Sequence, residues 1–176
     1  MRELADGERI RRFMRALGAE ADREGAVYFT GGTTAVLVGW RESTIDVDLK
    51  LVPEIDRLLR LLPSIKEKLR INVELVSPAD FIPVPAGWQD RSVFVAREGT
   101  LSFYHFDPYA QALAKLERAH AQDLEDVREL VARGLVDPAQ AIAYFEQIEP
   151  ELYRFPALEP RSLRTRVTAA FAGSTS

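Results

Sequence analysis

Hydrophobic and polar positions change their period along the chain, and this change divides it in two. In the first part, short apolar or alternating runs typical of strands lie between runs with helical spacing. The strand candidates are 26–30, a segment that carries Asp46, 71–76 and a hairpin over 92–106. From Asp107 onward the apolar positions recur only at helical spacing. The pattern therefore predicts a mixed first part followed by an all-helical second part.

Helix boundaries are marked by proline, glycine and capping residues. Asp107 and Asp137 each precede a proline, an N-cap followed by the residue that suits the first helical position. Pro63 is expected to split or kink the helix that contains it. The predicted helices are 3–23, 53–69, 107–119, 121–134, 137–149 and 162–171, with a loop at 77–91 and a frayed end at 172–176.

These elements predict an α+β fold: a small mixed β-sheet core with flanking helices, followed by a C-terminal helical subdomain. We place the core at 1–106 and the helical subdomain at 107–176. A length of 176 residues suits one domain with a helical appendage.

Composition narrows the chemistry. The chain has no cysteine and two histidines, which excludes disulfides, thiolate zinc sites and thiol catalysis and disfavours a histidine-built metal site. Hydrophobic residues make up 47% of the chain, enough for a core, and the net charge of -4 disfavours a surface coated for nucleic-acid binding. The N-terminus is charged, and no apolar run approaches about 18 residues. We expect a cytoplasmic protein with no membrane association.

Two carboxylates, Asp46 and Asp48, are separated by one residue in a predicted strand. Alternate side chains of a strand share a face, so both point the same way, roughly 6–7 Å apart, while Val47 points into the core. Glu74 faces outward on a later strand and supplies a third carboxylate if that strand lies beside the first. Hard oxygen ligands of this kind bind Mg²⁺. Alternatively, these acids are ordinary solvent-facing residues of an edge strand.

A glycine pair, Gly31-Gly32, follows the first strand and precedes a short helix opened by Thr33. Free backbone N–H groups at such a turn can face a phosphate, and the missing Cβ atoms allow close approach. Thr33 can donate its hydroxyl to the phosphate or cap the helix. Alternatively, the pair is only a structural turn between strand and helix.

The chain presents the strand, then Gly31-Gly32, a thirteen-residue spacer, Asp46 and Asp48, and finally Glu74. This order of features resembles the nucleotidyltransferase superfamily typified by DNA polymerase beta. The resemblance covers about residues 27–76. It departs from the usual pattern in having Thr33 after Gly-Gly and a glutamate as third acid. It implies a nucleotidyltransferase core that binds an NTP and Mg²⁺.

The segment ALAKLERAHAQDLEDV resembles the C-terminal part of nucleotidyltransferase-like toxins of bacterial toxin–antitoxin and abortive-infection systems, and of related uncharacterised proteins. There, a lysine on one helix and an aspartate on the next return to the nucleotide. The matching residues are Lys115 and Asp123, with Asp126 one turn on. Arg118 shares the helix face of Lys115, so both can meet triphosphate charge. Alternatively, these residues form exposed charge pairs worth well under about 1 kcal/mol each.

The resemblance implies transfer of a nucleoside monophosphate from an NTP to an acceptor hydroxyl. The acceptor is a tRNA 3′ end if the toxin resemblance extends to substrate, or otherwise a protein or a small molecule, and an antitoxin partner is then implied. In the catalytic set, Asp46 and Asp48 hold the metal, Glu74 activates the hydroxyl, and Lys115 and Asp123 assist; Gly31, Gly32, Thr33, Lys115 and Arg118 bind nucleotide. The alternative is an inactive nucleotide-binding or partner-binding module, with Glu74 as the discriminating residue.

Overall fold

A computed structural model describes residues 2–173 and groups them into two compact units. The first unit contains the chain up to Ser77 together with Ser92–Phe106. The second contains Pro78–Arg91 and the chain from Asp107 onward. The chain therefore passes between the units three times. Residues 174–176, part of the end expected to fray, lie outside the described range.

The first unit is built on a mixed β-sheet. Its strands within the described residues are β1 (Ala5–Asp6), β2 (Gly25–Thr30), β3 (Ser43–Thr44), β4 (Asp46–Val52), β5 (Asn72–Leu75), β6 (Val93–Glu98) and β7 (Leu101–His105). Five of these form one sheet in the order β5-β4-β2-β7-β6, and β1 pairs with β3 separately. The pairs β4–β5 and β2–β7 are parallel, whereas β2–β4 and β6–β7 are antiparallel. The predicted hairpin over 92–106 is confirmed as β6 and β7.

Helices cover one face of this sheet. They are α1 (Gly7–Glu20), α2 (Gly32–Val38) and α3 (Asp56–Leu69). Alternation along the strands sends Phe29, Leu49 and Phe103 into a core that they share with Phe13 of α1 and Leu58 of α3, all fully buried. The opposite residues of β4 are only half-buried, because the pleat turns them away from that core. We call this second side, which carries Asp46 and Asp48, the carboxylate face.

The second unit is helical. Its helices are α4 (Trp88–Arg91), α5 (Pro108–Arg118), α6 (Ala121–Ala132), α7 (Pro138–Ile148) and α8 (Pro160–Phe171), with short 3-10 segments at Pro78–Asp80 and Glu149–Arg154. Both predicted Asp-Pro caps are confirmed, since Asp107 accepts a hydrogen bond from the Tyr109 amide and Asp137 accepts one from the Gln140 amide. The predicted α+β fold is confirmed.

Two local predictions need correction. The helix around Pro63 is not split but runs continuously over Asp56–Leu69, because Leu58, Leu62 and Ile65 bury its apolar face on both sides of the proline, while a kink at Pro63 stays a prediction. The segment 77–91 is not all loop: it ends in α4, whose Arg91 forms an ion pair with the fully buried Asp107 at 2.8 Å. No helix within residues 2–173 is long and apolar enough to cross a membrane.

Candidate metal and nucleotide site

Asp46 and Asp48 lie on β4, which is paired on both sides. Thr30 of β2 is the register partner of Asp48 on one side, and Glu74 of β5 is its partner on the other. The edge-strand alternative is therefore wrong. Because neighbouring strands fix the β4 backbone from both sides, the two carboxylates project from a rigid support.

Glu74 joins these two acids. Asp46, Asp48 and Glu74 each offer a carboxylate oxygen, and the three oxygens lie within 4.8 Å of one another. The aspartates are half-buried and Glu74 is exposed. The predicted third acid therefore lies beside the pair, because parallel pairing of β4 with β5 sets Glu74 opposite Asp48. Three carboxylates this close repel one another unless cationic or hydrogen-bonding groups offset their charge.

Asn72 supplies part of that compensation. Its side-chain amide donates to Asp46 Oδ1 at 2.6 Å and to Glu74 Oε1 at 3.1 Å. The guanidinium of Arg2 donates in turn to the Asn72 side-chain carbonyl. Asn72 was missed at the sequence level. The signal was present, since Asn72 and Glu74 alternate in one strand and so share a face.

The glycine turn lies against Asp48. Gly31 has φ +63° and ψ -132°, a conformation that residues with a Cβ rarely adopt. A Cβ at Gly31 would lie 3.2 Å from Asp48 Oδ2, so its absence keeps the backbone beside the carboxylates open. Gly32 has a packing role as well, because a Cβ there would lie 2.1 Å from Thr44 Oγ1. Glycine is thus required at both positions, and at Gly31 it also borders the acid cluster.

Thr33 is not the N-cap of α2, the structural role considered for it from the sequence. Gly31 is the N-cap of α2, and Thr33 lies inside the helix, fully buried. The Thr33 hydroxyl has no hydrogen-bond partner among the described residues. The capping prediction is therefore wrong, while the phosphate contact of Thr33 stays a prediction.

A buried histidine braces the same helix. His105 ends β7, and its Nδ1 lies 3.0 Å from Thr34 Oγ1 in α2. Burial lowers the pKa of His105 to about 4, so its imidazole is neutral at pH 7. This neutral side chain links the second residue after the glycine pair to the end of the neighbouring strand.

The residues of the second resemblance form one network in the second unit. Lys115 Nζ of α5 lies 2.8 Å from Asp126 Oδ2 and 3.8 Å from Asp123 Oδ1 of α6. Arg118 donates two hydrogen bonds to Asp123, at 2.7 Å from Nε and 2.6 Å from Nη2. The network thus unites the predicted residues with Asp126.

The exposed-pair alternative is wrong for most of this network. Lys115 has a relative exposure of 9%, Asp123 of 1% and Asp126 of 2%, whereas the Arg118 side chain remains 57% exposed. Burial alone raises the pKa of Asp123, but the Arg118 hydrogen bonds and the charges of Arg118 and Lys115 outweigh it and lower the pKa overall. Contact of Lys115, Arg118 and Asp123 with a nucleotide stays a prediction.

A mixed sheet that carries two alternating aspartates, a third acid on the adjacent strand and a glycine turn beside them defines a nucleotidyltransferase-like core. The family model described as "Nucleotidyltransferase of unknown function (DUF6036)" matches residues 8–149, and the chain belongs to this family. No curated protein and no solved structure matched the chain. A particular closeness to the toxin proteins stays a prediction.

Proposed function

We propose that the protein is a magnesium-dependent nucleotidyltransferase that moves a nucleoside monophosphate from an NTP to an acceptor hydroxyl. The observation that carries this proposal is the convergence of Asp46, Asp48 and Glu74 within 4.8 Å. The acceptor oxygen attacks the α-phosphorus of the NTP, the bond to the β-phosphate oxygen breaks, and pyrophosphate leaves. The proton of the acceptor hydroxyl passes to a carboxylate.

The donor set fits magnesium. Three carboxylates provide hard oxygen ligands, and the open backbone at Gly31 leaves room for phosphate oxygens beside Asp48. In this proposal Asp46 and Asp48 hold the ion, with Glu74 next to them. Magnesium held by these carboxylates would neutralise triphosphate charge and stabilise the charge that develops on the transferred phosphoryl group.

The remaining residues of the proposed site accept the proton, contact the phosphates or orient the cations. Glu74, the most exposed of the three acids, accepts the proton of the acceptor hydroxyl. Gly31 and Gly32 allow the β- and γ-phosphates to approach the backbone, and Thr33 lies next to them in the chain. Lys115 and Arg118 neutralise phosphate charge, and Asp123 orients both cations, as its contacts with Arg118 and Lys115 allow.

The proposed acceptor is a hydroxyl group of one of three kinds of molecule. A tRNA 3′ end, a protein hydroxyl or a small molecule each offers the required nucleophile, and a toxin role with an antitoxin partner follows if the second resemblance extends to biology. Incubation with each labelled NTP, magnesium and either total RNA or cell extract tests the transfer. We expect label to appear on one acceptor fraction and to disappear when EDTA removes the metal.

The same preparation separates catalysis from binding. Calorimetry with the NTP measures affinity independently of transfer. Retained NTP affinity with no labelled product under any acceptor condition would contradict the enzyme and favour the inactive binding module.

We expect the Asn72→Ala substitution to raise the magnesium concentration needed for half-maximal transfer by about 10- to 100-fold, the usual effect of losing a group that orients metal ligands. Without the amide, Asp46 and Glu74 lose a shared donor, so their repulsion is less compensated. A magnesium titration of the labelling rate measures the shift. Asn72→Asp adds a fourth acid to the cluster, so its magnesium titration should differ from those of wild type and Asn72→Ala. An unchanged titration in both variants would remove Asn72 from the site.

A further inference from the structure

A row of side chains crosses the carboxylate face next to the acids. Strand register sets Lys50 of β4 opposite Tyr28 of β2, Tyr28 opposite Tyr104 of β7, and Tyr104 opposite Phe94 of β6. We call these four residues the aromatic row. It lies two residues along β4 from Asp48, a separation of roughly 6–7 Å.

The rings of the row are in contact. The centroids of Tyr28 and Tyr104 are 5.3 Å apart with the rings nearly parallel, and Phe94 meets Tyr104 edge-on at 5.8 Å. Such contacts hold aromatic side chains in defined orientations. Tyr28 is buried, Tyr104 is half-buried and Phe94 is 60% exposed, so the row opens toward solvent at the edge strand.

A β-bulge lies directly after Phe94 in β6. The pairing of β6 with β7 shifts between Phe94 and Ala96, which leaves Val95 as an extra residue. Bulges at sheet edges redirect side chains, and here the shift lets Phe94 lie on the same face as Tyr104 despite the break in alternation. Phe94 therefore presents an exposed aromatic ring at the edge of the carboxylate face.

We infer that Phe94 and Tyr104 form a stacking site for a nucleobase of a single-stranded nucleic-acid acceptor, an inference that rests on the proposed transfer at Asp46 and Asp48. Aromatic side chains stack on bases of any sequence because every base has a π-face. Lys50 adds a positive charge in the row for the backbone of the strand. Protein and small-molecule acceptors offer no comparable series of flat rings.

The distance to the acids assigns the base to the acceptor and not to the NTP. Three strand spacings separate β4 from β6, which sets Phe94 about 14 Å across the sheet from Asp48. This span exceeds the reach from the phosphate to the base of one nucleotide. A base at Phe94 therefore belongs to a strand whose end reaches the carboxylates and whose earlier nucleotides reach the exposed end of the row at Tyr104 and Phe94.

Fluorescence anisotropy with a short 5′-labelled single-stranded RNA tests this site directly. Wild-type protein, with magnesium and without NTP, is titrated against this strand and against a matched abasic strand that keeps the phosphates but lacks bases. We expect Phe94→Ala to weaken binding of the normal strand roughly tenfold. Phe94→Trp should restore it, and the abasic strand should bind weakly to all variants.

Phe81→Ala is the matched control, because Phe81 is also an exposed phenylalanine, at 40%, but belongs to the second unit. Its affinity for RNA should equal that of wild type, and thermal unfolding should show that all variants remain folded. Equal binding by wild type and Phe94→Ala, or an equal loss on the abasic strand, overturns the stacking site. Absence of RNA binding by wild type also overturns it.

Failure here is distinguishable from failure of the proposed function. Strand binding that is absent in wild type or independent of Phe94, together with NTP labelling of another acceptor, refutes the stacking site alone. Strand binding that depends on Phe94 but is never followed by labelling refutes the transfer and leaves a nucleic-acid-binding module.

Discussion

Replacing Asp48 with asparagine is expected to lower the rate of the proposed nucleotidyl transfer about a thousandfold, because the proposed metal ligand, worth several kcal/mol of transition-state stabilisation, loses its charge. The change keeps the size of the side chain on β4, between Thr30 and Glu74, so the sheet should retain its register. The labelling rate at saturating NTP and magnesium measures the effect. Circular dichroism of the variant should match wild type.

Asp22→Asn provides the matched control. Asp22 lies in the same unit with a side chain that is 53% exposed, and the substitution makes the same chemical change away from the acid cluster. Its labelling rate should equal that of wild type. Comparable rates for wild type, Asp22→Asn and Asp48→Asn would remove Asp48 from the mechanism, whatever the fate of the fold.

The second large effect concerns stability. Lys115→Met should lower the free energy of unfolding by about 3–5 kcal/mol, because it leaves Asp126 buried beside Asp123 without the cation that now lies 2.8 Å from Asp126. Urea or guanidinium unfolding of the whole chain measures the loss. The double variant Lys115→Met/Asp126→Leu should recover much of the lost stability, since it also removes the buried negative charge of Asp126.

Lys68→Met is the comparison for this experiment. Lys68 is an exposed lysine in the last turn of α3, so its replacement should change stability by no more than about 0.5 kcal/mol. A loss below about 1 kcal/mol for Lys115→Met, the size expected of an exposed ion pair, contradicts the buried network.

The sequence predicted the part of the site that is local in the chain. The strand, Gly31-Gly32 and the alternating Asp46 and Asp48 lie within one short stretch, where periodicity and turn chemistry act between near neighbours. Glu74 was a candidate because strand alternation fixes its face, and its position beside Asp46 and Asp48 is as expected. Its place opposite Asp48 depends on the parallel pairing of β4 with β5, which only the structure supplies.

Features that depend on pairing between strands far apart in the chain could not be predicted from the sequence. Asn72 became recognisable as a bridge only when β5 was paired with β4, because its amide carries no metal-site signature of its own. The aromatic row required the order of β4, β2, β7 and β6, and parallel neighbours such as β2 and β7 lie far apart in the chain. The continuous helix through Pro63 shows burial overriding a local breaker.

The three crossings between units limit how this chain can be dissected. Neither unit is one uninterrupted stretch, so no single proteolytic cut separates one unit from the other. A fragment that stops at residue 106 retains Arg91 but lacks Asp107, its ion-pair partner. The first unit alone is better sought by ending the chain at residue 106, deleting 78–91 and joining Ser77 to Ser92, which removes every segment of the second unit.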